Sequence, residues 1–145
     1  MPVANREVIM DVRYFALVYG AVFLLVGIAG FVPPLLTSPD VVLNLEGEPA
    51  ATGLLFGLFP VNALHNIVHI AFGIWGLLAF RGFGAARVYA RSVAVVYAVF
   101  VVMGLIPGAN TVWGLVPLYG HDIWLHAVLA AVAAWFGWKP ARAVV

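Results

Sequence analysis

The chain has 145 residues, of which 65% are apolar and only 9% are charged, and its formal net charge is +1. Since an average soluble domain carries about 25% charged residues, this composition excludes an ordinary water-exposed globule. The near-neutral charge argues against nucleic acid as a partner. With no cysteine in the chain, disulfides, thiolate metal sites and thiol redox chemistry are excluded.

Four apolar segments predict four membrane spans, because each segment is close to the roughly 20 residues that cross a bilayer. They run roughly over residues 12–32, 62–80, 88–106 and 123–138, and the short last one extends back through His121 and Asp122. The residues before the first segment are mixed in charge, so they do not resemble a cleavable signal peptide and we expect an uncleaved anchor. We therefore predict an all-α integral membrane protein whose residues 1–145 form a single domain.

The basic residues predict which ends of the spans face the cytoplasm. They form three groups: Arg6 and Arg13; Arg81, Arg87 and Arg91; Lys139 and Arg142. The loop after the first span instead holds Asp40, Glu46 and Glu48 and no basic residue. Because Lys and Arg stay on the cytoplasmic side, we expect both termini and the central loop to lie inside.

The outer connection between the first two spans covers residues 33–61. Its part from Pro33 to about Thr52 is long for a connector, and loops of that length are typically functional or disordered. Within it, residues 41–49 are compatible with a small hairpin on the membrane surface. The "GLFP" that follows, like "GLVP" before the fourth span, is apolar but broken by Gly and Pro. We expect an interfacial turn or a short half-helix at each of these two places.

The chain repeats itself. Residues 57–73, "GLFPVNALHNIVHIAFG", align with residues 114–130, "GLVPLYGHDIWLHAVLA", so that His65 falls on Asp122 and His69 on His126. In the preceding spans Arg13, Ala16 and Tyr19 match Arg91, Ala94 and Tyr97. We therefore predict two helical hairpins, over residues 12–80 and 88–138, related by an axis along the membrane normal.

The repeated polar pairs are the candidate site. Residues four apart share one face of a helix, so His65 and His69 point from one helix and Asp122 and His126 from its repeat mate. Three imidazoles and one carboxylate form a ligand set that suits zinc, iron or copper. Further along each helix the same face carries small residues, which are Gly73 and Gly76 on the first helix and Ala130 and Ala133 on its repeat mate. Because small residues let helices approach closely, we predict that these two faces pack together.

Other uses of the same residues stay open. They can form hydrogen bonds across a helix interface, typically worth about 0.6 kcal/mol each, or handle protons through Asp122. His69 and His126 alone are also a candidate pair for haem or another tetrapyrrole, ranked below a bare ion because close packing leaves little room. No catalytic motif is found; Asn66 occupies the position where the H-E-x-x-H metalloprotease motif needs Glu.

The segments "ALVYGAVFLLVGIAGF", "GLFPVNALHNIVHIAFG" and "GLVPLYGHDIWLH" carry a family resemblance. Over about residues 13–138 the chain resembles small four-helix bacterial membrane proteins catalogued as domain of unknown function 4383. The most specific element is the "PVNxLHNxVH" block. The resemblance implies a four-span protein of the bacterial inner membrane with the His and Asp positions in both halves, and it implies no particular activity.

Three classes of function fit these patterns. The first is a binding protein that holds a metal ion or cofactor, and the second is an accessory or structural subunit of a membrane complex. We expect a combination of the two, leaning away from an enzyme, with the bilayer and other membrane subunits or further copies of the chain as partners. The alternative is a small pseudo-symmetric transporter or proton-coupled carrier.

Overall fold

The computed structural model describes residues 6–38 and 51–140, which are mostly helical. The described part contains four α-helices, one for each predicted segment: α1 (Arg6–Ala29), α2 (Ala63–Ala79), α3 (Phe83–Gly104) and α4 (His121–Trp138). Two of them are long and apolar enough to cross a membrane, over Ile9–Ala29 and Phe83–Gly104. Helix α2 is apolar but has 17 residues, and α4 begins with the polar His121 and Asp122.

The helices pack as two pairs, with α1 along α2 and α3 along α4. Gly73 and Gly76 of α2 lie directly on α1, because a Cβ added at Gly76 would come within 2.7 Å of the Gly20 Cα. On the other hairpin Gly137 lies against Ala90 and Arg91 of α3. The predicted close packing of the α2 and α4 faces through small residues is therefore wrong. Gly73 and Gly76 instead let the two helices of the first hairpin approach each other.

A small antiparallel sheet covers the end of the bundle where α2 begins. It consists of β1 (Leu36–Thr37), β2 (Gly53–Leu55) and β3 (Phe59–Val61), in the order β1-β2-β3. The "GLFP" stretch thus forms a turn and an edge strand rather than a half-helix. The hairpin predicted for residues 41–49 falls outside the described residues, as do the acidic residues of the same loop and Arg142.

Equivalent positions of the two halves adopt the same local structure. Phe56 and Gly57 have φ angles of 54° and 73°, and the residues 57 positions later, Trp113 and Gly114, have φ angles of 53° and 87°. Positive φ is uncommon for a residue with a side chain. Its occurrence at Phe56 and again 57 positions later at Trp113 is therefore a structural match between the two halves of the sequence repeat.

The ends of α2 and α4 are also held alike. Arg13 Nε donates to the carbonyl oxygen of Phe80 at 2.7 Å, and Arg91 Nε donates to that of Gly137 at 2.9 Å. In the repeat alignment Arg13 matches Arg91 and Phe80 matches Gly137, so the two contacts are equivalent. Lys139 Nζ lies 2.6 Å from Asp11 Oδ2 at the same end of the bundle, opposite the sheet. Within the described residues, these contacts of basic side chains therefore lie at the end of the bundle opposite the sheet.

Candidate metal centre

The predicted site residues lie at the beginnings of α2 and α4. Asn62 caps α2, because its side-chain oxygen accepts a hydrogen bond from the backbone N–H of His65 at 2.8 Å. His65 and His69 follow within the first two turns, and Asp122 and His126 take the corresponding places in α4. His65, Asp122 and His126 are each only 3% exposed.

Three histidines converge between the two helices. One ring nitrogen each from His65, His69 and His126 forms a set in which all three atoms lie within 4.8 Å of one another. The ring centroids of His65 and His69 are 4.6 Å apart, and those of His65 and His126 are 6.3 Å apart. We call these three residues the histidine cluster.

Asp122 stands beside the histidine cluster rather than within that close set. Its Oδ2 lies 3.9 Å from His65 Nδ1, which is too far for a hydrogen bond. The structure therefore brings the carboxylate next to the first of the three histidines. Its role as a fourth metal ligand stays a prediction.

A backbone carbonyl positions His65. Its Nδ1 is 3.2 Å from the carbonyl oxygen of Pro60, and because a carbonyl only accepts, the proton must be on Nδ1. That tautomer leaves the lone pair of Nε2 free to bind a metal ion, and metal-bound histidines generally donate their other N–H in this way. Sequence reasoning missed this contact, since Pro60 contributes it through the main chain.

Aromatic rings hold the other two histidines. The Phe23 ring of α1 lies parallel to His69 with centroids 5.7 Å apart, and Tyr97 of α3 packs edge-on against His126 at 4.7 Å. The sequence pattern did not predict that Phe23 and Tyr97 belong to the site. The one sequence feature that pointed to either residue was the alignment of Tyr97 with Tyr19 in the repeat.

Several polar atoms of the site lack a hydrogen-bond partner among the described residues. They are Nδ1 of His69, Nδ1 of His126 and Oδ2 of Asp122, all inaccessible to solvent. A buried polar group without a partner costs about 1–3 kcal/mol. The site thus has unused lone pairs on buried nitrogen and oxygen atoms, and a bound cation would satisfy them.

Tyr119 adds a neutral group beside the carboxylate. Burial, and secondarily the negative charge of Asp122, raises the pKa of the Tyr119 phenol above its ordinary value. Because the phenol stays protonated at neutral pH, Tyr119 contributes no competing negative charge to the site.

A cavity of about 170 Å³ adjoins the histidine cluster, and all three histidines and Asp122 line it. Cofactor and drug-sized ligands occupy sites of about 300–1,000 Å³. The space therefore fits a metal ion and a small molecule, and it is smaller than the sites that hold cofactor-sized ligands. The tetrapyrrole alternative at His69 and His126 stays a prediction.

Two neighbouring polar residues serve other contacts. Asn66 donates from Nδ2 to the carbonyl oxygen of Gly30 at 2.8 Å, so its side chain is turned toward the end of α1. His121 is exposed, and its Nδ1 accepts a hydrogen bond from the Trp124 indole at 2.9 Å. Neither residue belongs to the histidine cluster.

Comparison with known proteins agrees with the resemblance carried by the sequence motifs. A family model described as a domain of unknown function, DUF4383, matches residues 13–139, which is most of the chain. No curated protein and no solved structure matches the chain.

Proposed function

The chain belongs to the DUF4383 family, and on that premise we propose a four-span protein of the bacterial inner membrane that binds one transition-metal ion through His65, His69 and His126. The observation that carries this proposal is the approach of three ring nitrogens to within 4.8 Å of one another. Two helices and the Pro60 carbonyl cooperate to produce that approach.

The outer surfaces of the helices support membrane insertion. Large apolar side chains are exposed on every helix, among them Leu25 at 67%, Leu78 at 52%, Val102 at 58% and Val128 at 52%. Soluble monomers rarely expose apolar surface on this scale, whereas lipid-facing helices do.

The placement of charge supports the orientation. Arg13, Arg87, Arg91 and Lys139 lie at one end of the bundle, where they contact the ends of α2 and α4 or the start of α1. By the positive-inside tendency that end is cytoplasmic, together with both termini. The histidine cluster then lies near the outer surface.

The chemistry of the donors supports a zinc, copper or iron ion. Imidazole nitrogen suits all three metals, and three histidines with a fourth position for another ligand form a common zinc arrangement. Bonds of about 2.0–2.1 Å place tetrahedral ligands about 3.4 Å apart, so ring nitrogens that lie within 4.8 Å of one another need to approach by up to about 1.4 Å. Asp122, whose Oδ2 lies 3.9 Å from His65 Nδ1, is the candidate for a further ligand position.

We further propose that the protein acts as an accessory subunit of a larger membrane complex. The absence of a recognised catalytic motif from these 145 residues supports this part of the proposal. Purification in mild detergent followed by identification of stably associated proteins tests it. A protein that purifies alone under all mild conditions and exists as free monomers in native membranes would contradict it.

The metal proposal is tested on protein purified in mild detergent without a histidine tag. We expect a near-stoichiometric metal ion by mass spectrometry, and a visible absorption band after loading with Co²⁺. The His69→Ala/His126→Ala double variant should lose both signals. His121→Ala is the matched control, because His121 is a histidine of α4 outside the cluster, and it should retain both.

Two results would overturn the metal proposal. One is a wild-type protein that binds none of Zn²⁺, Cu²⁺, Fe²⁺ or Co²⁺ after incubation with excess metal. The other is equal metal binding by the double variant, provided that its circular dichroism matches that of the wild type.

A further inference from the structure

The histidine cluster faces a cavity whose other walls are apolar. Helices α1 and α4 form two sides of it, and the turn and strand of the β2–β3 hairpin form the third. The apolar residues that matter here are Val22, Val26, Phe56, Phe59, Leu125 and Leu129.

The polar groups of the cavity are concentrated at the histidine cluster. His65, His69, Asp122 and His126 are its only ionisable lining residues within the described chain. Asp122 Oδ2, on a residue that is 3% exposed, has no hydrogen-bond partner there. A ligand would therefore have one polar end, at the cluster, and an apolar body.

The size of the cavity limits that body. Its volume is about 170 Å³, and a cavity of about 150 Å³ lined by aliphatic and aromatic side chains binds benzene. A single ring or a short alkyl chain fits, whereas a fused ring system does not.

The exposed rim of the cavity is also apolar. Val22 is 46% exposed and Phe56 is 60% exposed, and both lie on its lining. In the proposed membrane orientation this rim borders the outer half of the bilayer. A lipophilic molecule dissolved in the membrane can reach the cavity without crossing a polar surface.

We infer that the cavity binds a small lipophilic molecule, about one ring in size, that places a single nitrogen, oxygen or sulfur donor on the metal ion held by the histidine cluster. The inference rests on the proposed function, because the donor needs the metal ion. It adds the chemical class of the molecule that the metal site accepts.

Pyridine is the test probe, since it combines a single ring with a single nitrogen donor. The Co²⁺-loaded protein in nanodiscs is titrated with pyridine while the visible absorption band is followed. We expect a saturable change of the band. Benzene, which has the ring without the donor, should compete with pyridine but leave the band of the pyridine-free protein unchanged.

Variants that fill the cavity test whether pyridine binds inside the cavity or reaches the metal ion from elsewhere. Leu129→Trp places a large side chain in the cavity, and it should weaken pyridine binding by about tenfold or more while Co²⁺ stays bound. Val128→Trp is the matched control, because Val128 is exposed on the adjacent position of α4 and does not line the cavity. Val26→Phe fills the same space from α1 if Leu129→Trp does not fold.

The outcomes distinguish the two proposals. Absence of a Co²⁺ band is a failure of the metal site. A normal Co²⁺ band that does not respond to pyridine overturns the cavity proposal alone. Equal pyridine binding by the wild type and both cavity-filling variants also overturns it, since the ring would then lie outside the cavity.

Discussion

Asn66 lies between His65 and His69 in the sequence, but its side chain joins two helices instead of facing the cavity. Its Nδ2 donates to the carbonyl oxygen of Gly30, just beyond the last residue of α1. At Gly30 an added Cβ would overlap the Asn66 side chain, so the two residues fit together only because position 30 has no side chain. This contact joins the end of α1 to the start of α2 and leaves His65 and His69 to face the cavity.

We expect Gly30→Ala to destabilise the protein by about 1–3 kcal/mol, the usual cost of overpacking a tight contact. The loss should be smaller in an Asn66→Ala background, because the overlapping side chain is then absent. Thermal unfolding of all four proteins in detergent measures this difference. Gly84→Ala is the control, since nothing lies within 4 Å of a Cβ there. Additive effects of Gly30→Ala and Asn66→Ala would contradict the contact.

Metal affinity should depend on pH through the histidine cluster. Protons and the metal ion compete for the same ring nitrogens, so the affinity for Co²⁺ should fall as pH decreases and rise to a plateau as the histidines become neutral. Titrations with Co²⁺ from about pH 8 down to the lowest pH at which the protein stays folded measure this. The His121→Ala control should follow the same profile. An affinity that increases toward low pH would contradict imidazole ligation.

At the scale of helices, two arginines hold the C-terminal ends of α2 and α4. The last carbonyl groups of a helix have no partner within it, and Arg13 and Arg91 supply one for Phe80 and Gly137. Both guanidinium groups also lie over aromatic rings, with Arg13 5.1 Å from the Phe80 centroid and Arg91 5.4 Å from that of Trp138. The two hairpins are thus closed in a similar manner, and Arg87 Nε is a second donor to the Gly137 carbonyl at 3.1 Å.

Arg13→Met should destabilise the protein by about 1.5–3 kcal/mol, because it removes a hydrogen bond from a charged donor to the Phe80 carbonyl. Arg91→Met should cost less, since Arg87 Nε also donates to the Gly137 carbonyl at 3.1 Å, and the Arg87→Met/Arg91→Met double variant should lose as much as Arg13→Met. Arg81→Met should have little effect, since Arg81 is exposed at the same end and makes no side-chain hydrogen bond to the described residues. Thermal unfolding in detergent is again the measurement. A double variant that loses no stability would contradict the closure of α4 by these arginines.

At the scale of the whole molecule, the proposed orientation places β1 outside and the α2–α3 connection inside. Because the chain has no cysteine, a single introduced cysteine is the one thiol of this chain that can be labelled, and its labelling reports the side of the membrane on which it lies. In spheroplasts, Ser38→Cys should react with a membrane-impermeant thiol reagent, and Gly84→Cys should react only after permeabilisation. Labelling of Gly84→Cys in intact spheroplasts would reverse the orientation.

Much of the architecture follows from the sequence, because hydrophobic length and charge act locally. The four apolar stretches predicted the four helices, and the repeat predicted that residues 57 positions apart would correspond, as the backbone at Phe56 and Trp113 does. The spacing of His65 and His69 also showed that their side chains share a helix face. Each of these features depends on residues that are neighbours along the chain.

Only the tertiary structure decided which faces meet. The small residues Gly73 and Gly76 pack on α1 rather than α4, since a stripe of small side chains fits any close neighbour and the sequence does not identify which. The approach of His126 to His65 and His69, the Pro60 carbonyl that orients His65, and the cavity beside them depend on how two hairpins are placed. The local sequence therefore determines the donors, and the packing of distant helices determines that three of them converge.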